Sequence, residues 1–100
     1  MGAMVEFEWD DAKNIANQRK HGIRFESAAR ALLDPNAVFE LDSDIAQEER
    51  WRVIGAIEGR ALLLVVYTDR GNEQSEIARL ISARYANSRE RRRYDQNKMG

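Results

Sequence analysis

The sequence predicts one small α+β domain, in which helices pack on one face of an antiparallel sheet. Apolar residues recur at helical spacing before Pro35, alternate with polar residues after it, and give way to an arginine-rich end. Helices that precede a run of strands are typical of α+β folds rather than of repeated βαβ units. A chain of 100 residues, 43% of them hydrophobic, forms a single core, so we assign residues 1–100 to one domain.

The N-terminal part is predicted to form a strand and two helices. Residues 5–9 alternate apolar and polar side chains, as a half-buried strand does. Asp10 is a suitable N-cap for the first helix, and Gly22 suits the left-handed residue after its end. The second helix begins at Phe25 and ends before Pro35. The residues that recur at helical spacing are Ala12, Ile15, Ala16 and Arg19 in the first helix, and Phe25, Ala28, Ala29, Leu32 and Leu33 in the second.

The remaining chain is predicted to form a four-stranded meander and a last helix. Residues 61–68 are apolar on both faces, which indicates a central strand covered on two sides. Residues 42–49 form an acidic loop, and Glu58 and Gly59 a two-residue turn. Asn87 and Glu90 form a capping box that starts the last helix. The predicted strands are residues 37–41, 51–57, 61–68 and 75–83.

The composition excludes several kinds of site. The chain has no cysteine, which excludes disulfides, thiolate zinc sites and a cysteine nucleophile, and its one histidine, His21, excludes a multi-histidine metal site. We therefore expect no metal and no cofactor. The longest apolar run, residues 61–67, is too short to span a bilayer, and the N-terminus lacks a signal-peptide pattern. We expect a cytoplasmic protein and interpret residues 1–3 as a cloning remnant before a natural start at Met4.

Charge is divided unevenly along the chain. Residues 79–100 contain seven basic and two acidic side chains, a net charge of +5, whereas the other 78 residues carry −6. Such asymmetry indicates that one surface meets a polyanion.

The basic residues Lys20 and His21 allow two interpretations. Cations at the C-terminus of a helix complement the helix dipole and need no further role. Alternatively, the two side chains project into a site, where an imidazole can exchange a proton near neutral pH.

Arg79 and Arg84 lie on the last predicted strand. Simple alternation places Arg79 on one face with Ile77 and Ile81, and Ser82 on the other face. Because an unpaired buried charge is costly, Arg79 must reach water, a ligand or a carboxylate, for which Glu6 and Glu76 are the candidates. Arg84, at the end of the strand, is predicted to point into a cleft.

The last helix carries most of the arginines. Helical spacing predicts that Glu90, Arg91 and Tyr94 face inward with Asn87, and that Arg89, Arg92, Arg93 and Gln96 lie outside. One interpretation assigns no function to these arginines: the helix is solvated, and Arg91 pairs with Asp95. The alternative is nucleic-acid binding, because arginine grips phosphate through a planar fork and flanking tyrosines such as Tyr85 can stack on bases.

Together these residues resemble the BrnT toxin family, which belongs to the RelE-like ribonuclease toxins of bacterial toxin–antitoxin modules. The resemblance covers residues 4–94. Its motifs are Phe7-x-Trp9-Asp10 with Lys13 and Asn17, Lys20-His21-Gly22-Ile23, Phe25-Glu26, residues 52–55, residues 62–68, Ile81-Ser82-Ala83-Arg84, and Arg89-Glu90-Arg91 with Tyr94.

The resemblance implies a small RelE-like fold, RNA cleavage and inhibition of translation. It also implies a BrnA-like antitoxin with a ribbon-helix-helix domain, an assembly of two toxins with two antitoxins, contact with operator DNA only through that complex, and no membrane. The family pattern is present at Lys20, His21, Arg84, Glu90, Arg91 and Tyr94. Arg79 also fits it, and the pattern is less uniform at Tyr85, Arg92 and Arg93.

These residues suggest a mechanism that needs no metal, since RNA carries its own nucleophile in the 2′-hydroxyl. We expect Arg79 and Arg84 to hold the scissile phosphate with help from Arg91, Lys20 or His21 to transfer protons, and Tyr94 to stack on or orient a base. Glu90 has a supporting role, and the RNA-binding residues are Arg89, Arg92, Arg93 and Tyr85. The alternative is a non-catalytic RNA- or protein-binding module, and the basic end could also dock an acidic antitoxin segment.

Overall fold

The computed structural model describes residues 5–43, 49–58 and 61–99. Residues 1–3, most of the predicted acidic loop and Gly59 of the predicted turn lie outside this part. The order of elements is the predicted one: β1 (Val5–Glu8), α1 (Asp11–His21), α2 (Phe25–Ala28) continued by a 3₁₀ segment (Ala29–Leu33), β2 (Val38–Ser43), β3 (Arg50–Ile57), β4 (Ala61–Asp69), β5 (Glu76–Tyr85) and α3 (Ser88–Met99).

The five strands form one sheet in the order β1-β5-β4-β3-β2. Four strands pair antiparallel as predicted, while β1 lies parallel to β5 at one edge. In the central strand β4, residues 62–65 are buried on both faces. The prediction of a central strand covered on two sides is therefore confirmed.

Helix α1 begins and ends as its sequence predicts. The backbone N–H of Lys13 donates to Asp10 Oδ1 at 3.1 Å, and Gly22 adopts a left-handed φ of 74°. The predicted inward face is wrong, however, because Ile15 is 53% exposed and Asn17 is the buried residue of this helix.

Asn17 is buried because its amide continues the edge of the sheet beyond the end of β1. Its Nδ2 donates to the carbonyl oxygen of Ala83 at 2.9 Å, and the backbone N–H of Ala83 donates to Asn17 Oδ1 at 3.0 Å. The side-chain amide thus replaces a neighbouring strand, and it satisfies two backbone groups that would otherwise be buried without partners.

The second helix is shorter and tighter than predicted. It is α-helical only over Phe25–Ala28, and its 3₁₀ continuation packs directly on β3 at Gly55. A Cβ atom at position 55 would overlap the carbonyl oxygen of Ala31, so glycine is required for this close approach. Leu33, part of the predicted apolar stripe, is instead 61% exposed.

Helices cover both faces of the sheet, so the expectation that they share one face is wrong. Phe25 packs with Leu63 on the face that carries α2, whereas Tyr94 of α3 packs with Ile54 and Leu64 on the opposite face. Because β3 and β4 have apolar residues on both sides, each face needs its own cover. No helix in the described ranges has the length and apolar character needed to cross a membrane.

Candidate active site

A β-bulge in β5 places Arg79 and Arg84 on the same face of the sheet. Arg79 pairs with Thr68 and Leu80 with Tyr67, but Val66 then pairs with Ser82 and leaves Ile81 as the extra residue. Residues five apart in a regular strand point to opposite faces, and one extra residue reverses this relationship. The predicted alternation is therefore wrong beyond Leu80, and both arginines lie on the face that carries α3.

Arg84 is bound to Glu90 by two parallel hydrogen bonds. Its Nη1 and Nη2 donate to Glu90 Oε1 and Oε2, each at 2.9 Å, and Nη1 also donates to the carbonyl oxygen of Tyr85 at 3.2 Å. Because the Arg84 side chain is 39% exposed and that of Glu90 only 5%, the arginine is reachable while its partner lies beneath it. This fork-to-fork geometry fixes the orientation of the guanidinium.

Glu90 also completes the predicted capping box of α3. The backbone N–H of Asn87 donates to Glu90 Oε1, and the backbone N–H of Glu90 donates to Asn87 Oδ1, both at 2.9 Å. Burial alone would raise the pKa of Glu90, but the hydrogen bonds from Arg84 and Asn87 outweigh it and lower that pKa. The hydrogen bond to Glu90 raises the pKa of Arg84.

Arg79 pairs with a carboxylate other than those predicted. Its Nη1 donates to Glu8 Oε2 at 2.8 Å, because the parallel register of β1 aligns Glu8 with Arg79. The predicted partners Glu6 and Glu76 are wrong. Since the two side chains are 37% and 40% exposed, this ion pair contributes little to stability and can be exchanged for another anion.

The inward face of α3 consists of Glu90, Arg93, Tyr94 and Asn97 rather than the predicted set. Arg93 Nη2 donates to Glu40 Oε1 at 3.1 Å, while its Nε lies 3.0 Å from Glu40 Oε2 without the geometry of a hydrogen bond. Asn97 Nδ2 donates to the carbonyl oxygen of Asn36 at 3.2 Å. Arg93 therefore lies inward and Arg91 outward, which reverses their predicted positions.

Tyr94 is a buried core residue. It is 6% exposed, and its hydroxyl donates to Asp34 Oδ2 at 2.6 Å. Burial and the Asp34 carboxylate raise the pKa of Tyr94 to about 12. Burial would raise the pKa of Asp34, but hydrogen bonds from Tyr94 and from the backbone N–H of Ala56 lower it. The predicted contact of Tyr94 with a base would require the ring to leave the core.

Lys20 and His21 lie at the C-terminus of α1, where they line a shallow groove of about 260 Å³ against β5. The groove also contains Ser82, which is two residues from Arg84 on the same strand and shares its face of the sheet. The two predicted proton-transfer residues thus adjoin the arginine-bearing face at Ser82. The other lining residues are Lys13, Ala16, Asn17 and Ile81.

The remaining predicted RNA-binding residues form an exposed rim. Arg89, Arg91 and Arg92 are exposed on α3, and Tyr85 is 57% exposed at the end of β5. None of these three arginines forms an ion pair with another described residue. The predicted pair between Arg91 and Asp95 is therefore wrong. This rim can bind an anion without first losing an internal partner.

Lys13 and Ser82 line the groove but were not predicted as site residues. Lys13 lies seven residues before Lys20. This spacing puts both lysines on one side of a helix, and it could have predicted that Lys13 lies in the same groove as Lys20. Ser82 had no comparable signal, because no glycine marks the bulge that turns it toward this face.

A second concave region lies on the opposite face of the sheet and is mostly apolar. It has a volume of about 240 Å³ and contains none of the predicted site residues. Its lining includes Leu32, Leu33, Phe39, Tyr67 and Asp69.

Within the described ranges, no group of three or more His, Cys, Asp or Glu side chains could hold a metal ion.

Comparisons with known proteins agree on one family. A family model described as "Ribonuclease toxin, BrnT, of type II toxin-antitoxin system" matches residues 9–90. The crystal structure of the Brucella abortus ribonuclease toxin BrnT is similar, with a TM-score of 0.68 and 26% sequence identity, and the match covers 85% of this chain and 100% of that chain. No curated protein sequence matches this chain.

Proposed function

This chain belongs to the BrnT family of ribonuclease toxins of type II toxin–antitoxin systems, and on that premise we propose that it cleaves RNA with the RNA's own 2′-hydroxyl as nucleophile. The family favours a ribonuclease over a non-catalytic RNA- or protein-binding module. The observation that carries the proposal is the bulge in β5, which gives Arg79 and Arg84 a common face next to the groove of Lys20 and His21.

In the proposed reaction the 2′-oxygen attacks the phosphorus and the bond from phosphorus to the 5′-oxygen breaks. The products are a 2′,3′-cyclic phosphate and a 5′-hydroxyl, so one proton leaves the nucleophile and one reaches the leaving group. Lys20 and His21 transfer these protons, which is the task of general acid and base groups. No metal takes part in this scheme.

Arg84 stabilises the negative charge that develops on the phosphate. Its guanidinium is fixed by Glu90 yet partly exposed, so it is oriented before the RNA binds. Arg79 is the second phosphate ligand, since its weak pair with Glu8 can be exchanged for a phosphate oxygen. Glu90 is a positioning residue in this scheme.

The exposed rim binds the rest of the RNA. Arg89, Arg91 and Arg92 attract phosphates, and the exposed ring of Tyr85 stacks on a base. Arg93 and Tyr94 enter the proposal as residues that hold α3 on the sheet, through Glu40 and Asp34 respectively.

A ribonuclease toxin of a type II system has a cognate antitoxin and an RNA substrate. We propose that the antitoxin is BrnA-like, with a ribbon-helix-helix domain, and that two toxins assemble with two antitoxins. Operator DNA is contacted through that complex. An acidic antitoxin segment over the basic rim would block RNA, because negative charge complements a phosphate-binding surface. The site of action is the cytoplasm, where cleavage inhibits translation.

The test is to incubate the purified protein with end-labelled RNA in the presence of a chelator. We expect cleavage that leaves 2′,3′-cyclic phosphate ends. Retention of RNA without cleavage would instead support the binding module. Products with 3′-hydroxyl ends, formed only when a divalent metal is supplied, would contradict the proposed chemistry.

A further inference from the structure

The part of the α3-bearing face that lies beyond α3 carries a row of polar residues across four strands. Glu8 pairs with Arg79, Arg79 with Thr68, and Thr68 with Arg50, in β1, β5, β4 and β3 respectively. Directly paired residues project from the same face of a sheet. Arg79 and Arg50 therefore flank Thr68, with roughly 10 Å between their strands.

Thr68 has an unexplained hydroxyl. The residue is 3% exposed, and its Oγ1 is buried with no hydrogen-bond partner among the described residues. A buried hydroxyl without a partner is unfavourable, and a valine would fill the same space at no such cost. The hydroxyl is therefore unused within the described part of the chain and is free to bind a ligand once it is uncovered.

Arg50 is the second unexplained group. It is exposed and makes no ion pair with any residue in the described part of the chain. The neighbouring arginine on the same strand, Arg52, is by contrast neutralised by Glu40 at 3.0 Å and Asp42 at 3.5 Å. Arg50 thus supplies an uncompensated positive charge next to the unpartnered hydroxyl.

We propose that Arg50 and Thr68 bind a second RNA phosphate, next to the one held by Arg79 and Arg84. This rests on the proposed function, and it gives the RNA a path across the sheet from β5 through β4 to β3. In this proposal Arg79, the residue paired with Thr68 on β5, leaves Glu8 for the RNA and moves aside, so that the Thr68 hydroxyl can donate to a phosphate oxygen. Arg50 binds the same phosphate with its guanidinium.

The test measures binding separately from cleavage. The probe is a short single-stranded RNA in which every 2′-hydroxyl is methylated, so that the proposed nucleophile is absent. Dissociation constants are measured over a range of salt concentrations for wild type, Arg50→Gln, Thr68→Val and Arg30→Gln. Arg30 is the matched control because it is an exposed arginine on the 3₁₀ segment, across the sheet, and its substitution makes the same change of charge.

We expect Arg50→Gln to weaken binding about tenfold relative to Arg30→Gln. The plot of log affinity against log salt should become shallower by roughly 0.7, the value for one phosphate contact with a single strand. Thr68→Val should weaken binding roughly fivefold while leaving the urea midpoint of unfolding unchanged or raised. A hydroxyl with a purely structural role would instead give a lower midpoint and unchanged binding.

Binding of Arg50→Gln with the affinity and salt slope of Arg30→Gln would overturn the proposal, and so would unchanged binding by Thr68→Val. Cleavage of unmodified RNA is measured in parallel. If the wild type cuts through the 2′-hydroxyl but both variants bind normally, only the second phosphate site fails. If binding depends on Arg50 but no such cleavage occurs, the proposed function fails and the phosphate site remains.

Discussion

Arg84 and Glu90 form a bidentate ion pair in which the arginine is partly exposed and the glutamate is buried. The pair joins the end of β5 to the first turn of α3. The same carboxylate serves the fold, by capping α3, and the site, by orienting the guanidinium.

Replacing Arg84 tests its two roles separately. We expect Arg84→Ala to lower RNA cleavage by roughly 10²–10³-fold, the effect of removing one charge-stabilising donor, and to lower the free energy of unfolding by about 1–3 kcal/mol because Glu90 loses its partner. Arg84→Lys keeps a cation near Glu90 and should recover most of the stability but little of the activity. Rate constants of cleavage measure the activity, and urea unfolding measures the stability. If Arg84→Lys cleaved RNA as fast as wild type, the planar guanidinium would not be needed for cleavage.

Acid should destabilise the protein through Glu90 and Asp34. Both carboxyl groups have a pKa lowered by folding, so their contribution to stability is full above the unfolded pKa and disappears as the pH falls through the folded value. We expect the difference in unfolding free energy between wild type and Glu90→Gln to be large near neutral pH and to shrink as the pH falls below the ordinary pKa of a glutamate. Urea unfolding at several pH values measures it, and a difference that does not change with pH would contradict this assignment.

Tyr94→Phe removes the hydroxyl that donates to Asp34. Because hydrogen bonds to charged groups are worth about 1.5–3 kcal/mol, we expect a loss of stability of that order. Cleavage by the folded variant should equal that of wild type, since the ring is buried. A large drop in cleavage with an intact fold would instead show that the Tyr94 hydroxyl acts on the RNA.

Asn17→Ala should weaken the edge of the sheet at Ala83. Each buried backbone group left unpaired costs roughly 1–3 kcal/mol. The substitution removes the hydrogen-bond partner of both the N–H and the carbonyl of Ala83. Hydrogen exchange of the Ala83 amide should accelerate, whereas Gln18→Ala, at an exposed position on the same helix, should leave it unchanged. Equal protection in the two variants would show that Asn17 does not replace a strand.

His21→Ala should lower cleavage by roughly 10²–10⁴-fold, the usual contribution of a general acid or base. Arg19→Ala is the control, because Arg19 is exposed on the same last turn of α1 and is not among the residues lining the groove. Single-turnover cleavage at saturating RNA separates chemistry from binding. Equal rates for the two variants would limit His21 to the helix-end role that its position also allows.

The sequence predicted the order of the elements because local signals define them. Asp10, Gly22 and the Asn87–Glu90 box are cap residues, and each acts as a cap in the structure. The burial of β4 followed in the same way from its two apolar faces. These features depend on residues that are close together in the sequence, so the sequence alone is enough to predict them.

The features that were not predicted depend on distant contacts. The bulge at Ile81 is set by how β5 pairs with β4, and the burial of Asn17 by an edge left open where β1 ends. Arg93 lies inward because Glu40, 53 residues away, is there to receive it. Spacing along one element could not reveal these partners, so the individual site residues were less predictable than the fold.

The most direct test of the 2′-hydroxyl as nucleophile is cleavage of an RNA that carries one 2′-deoxy nucleotide at a position that the protein cuts in all-ribose RNA. The RNA is incubated with the protein and a chelator, and all-ribose RNA of the same sequence is the control. We expect cleavage at the substituted position to be abolished while other positions are still cut. Unchanged cleavage at the 2′-deoxy position would contradict it.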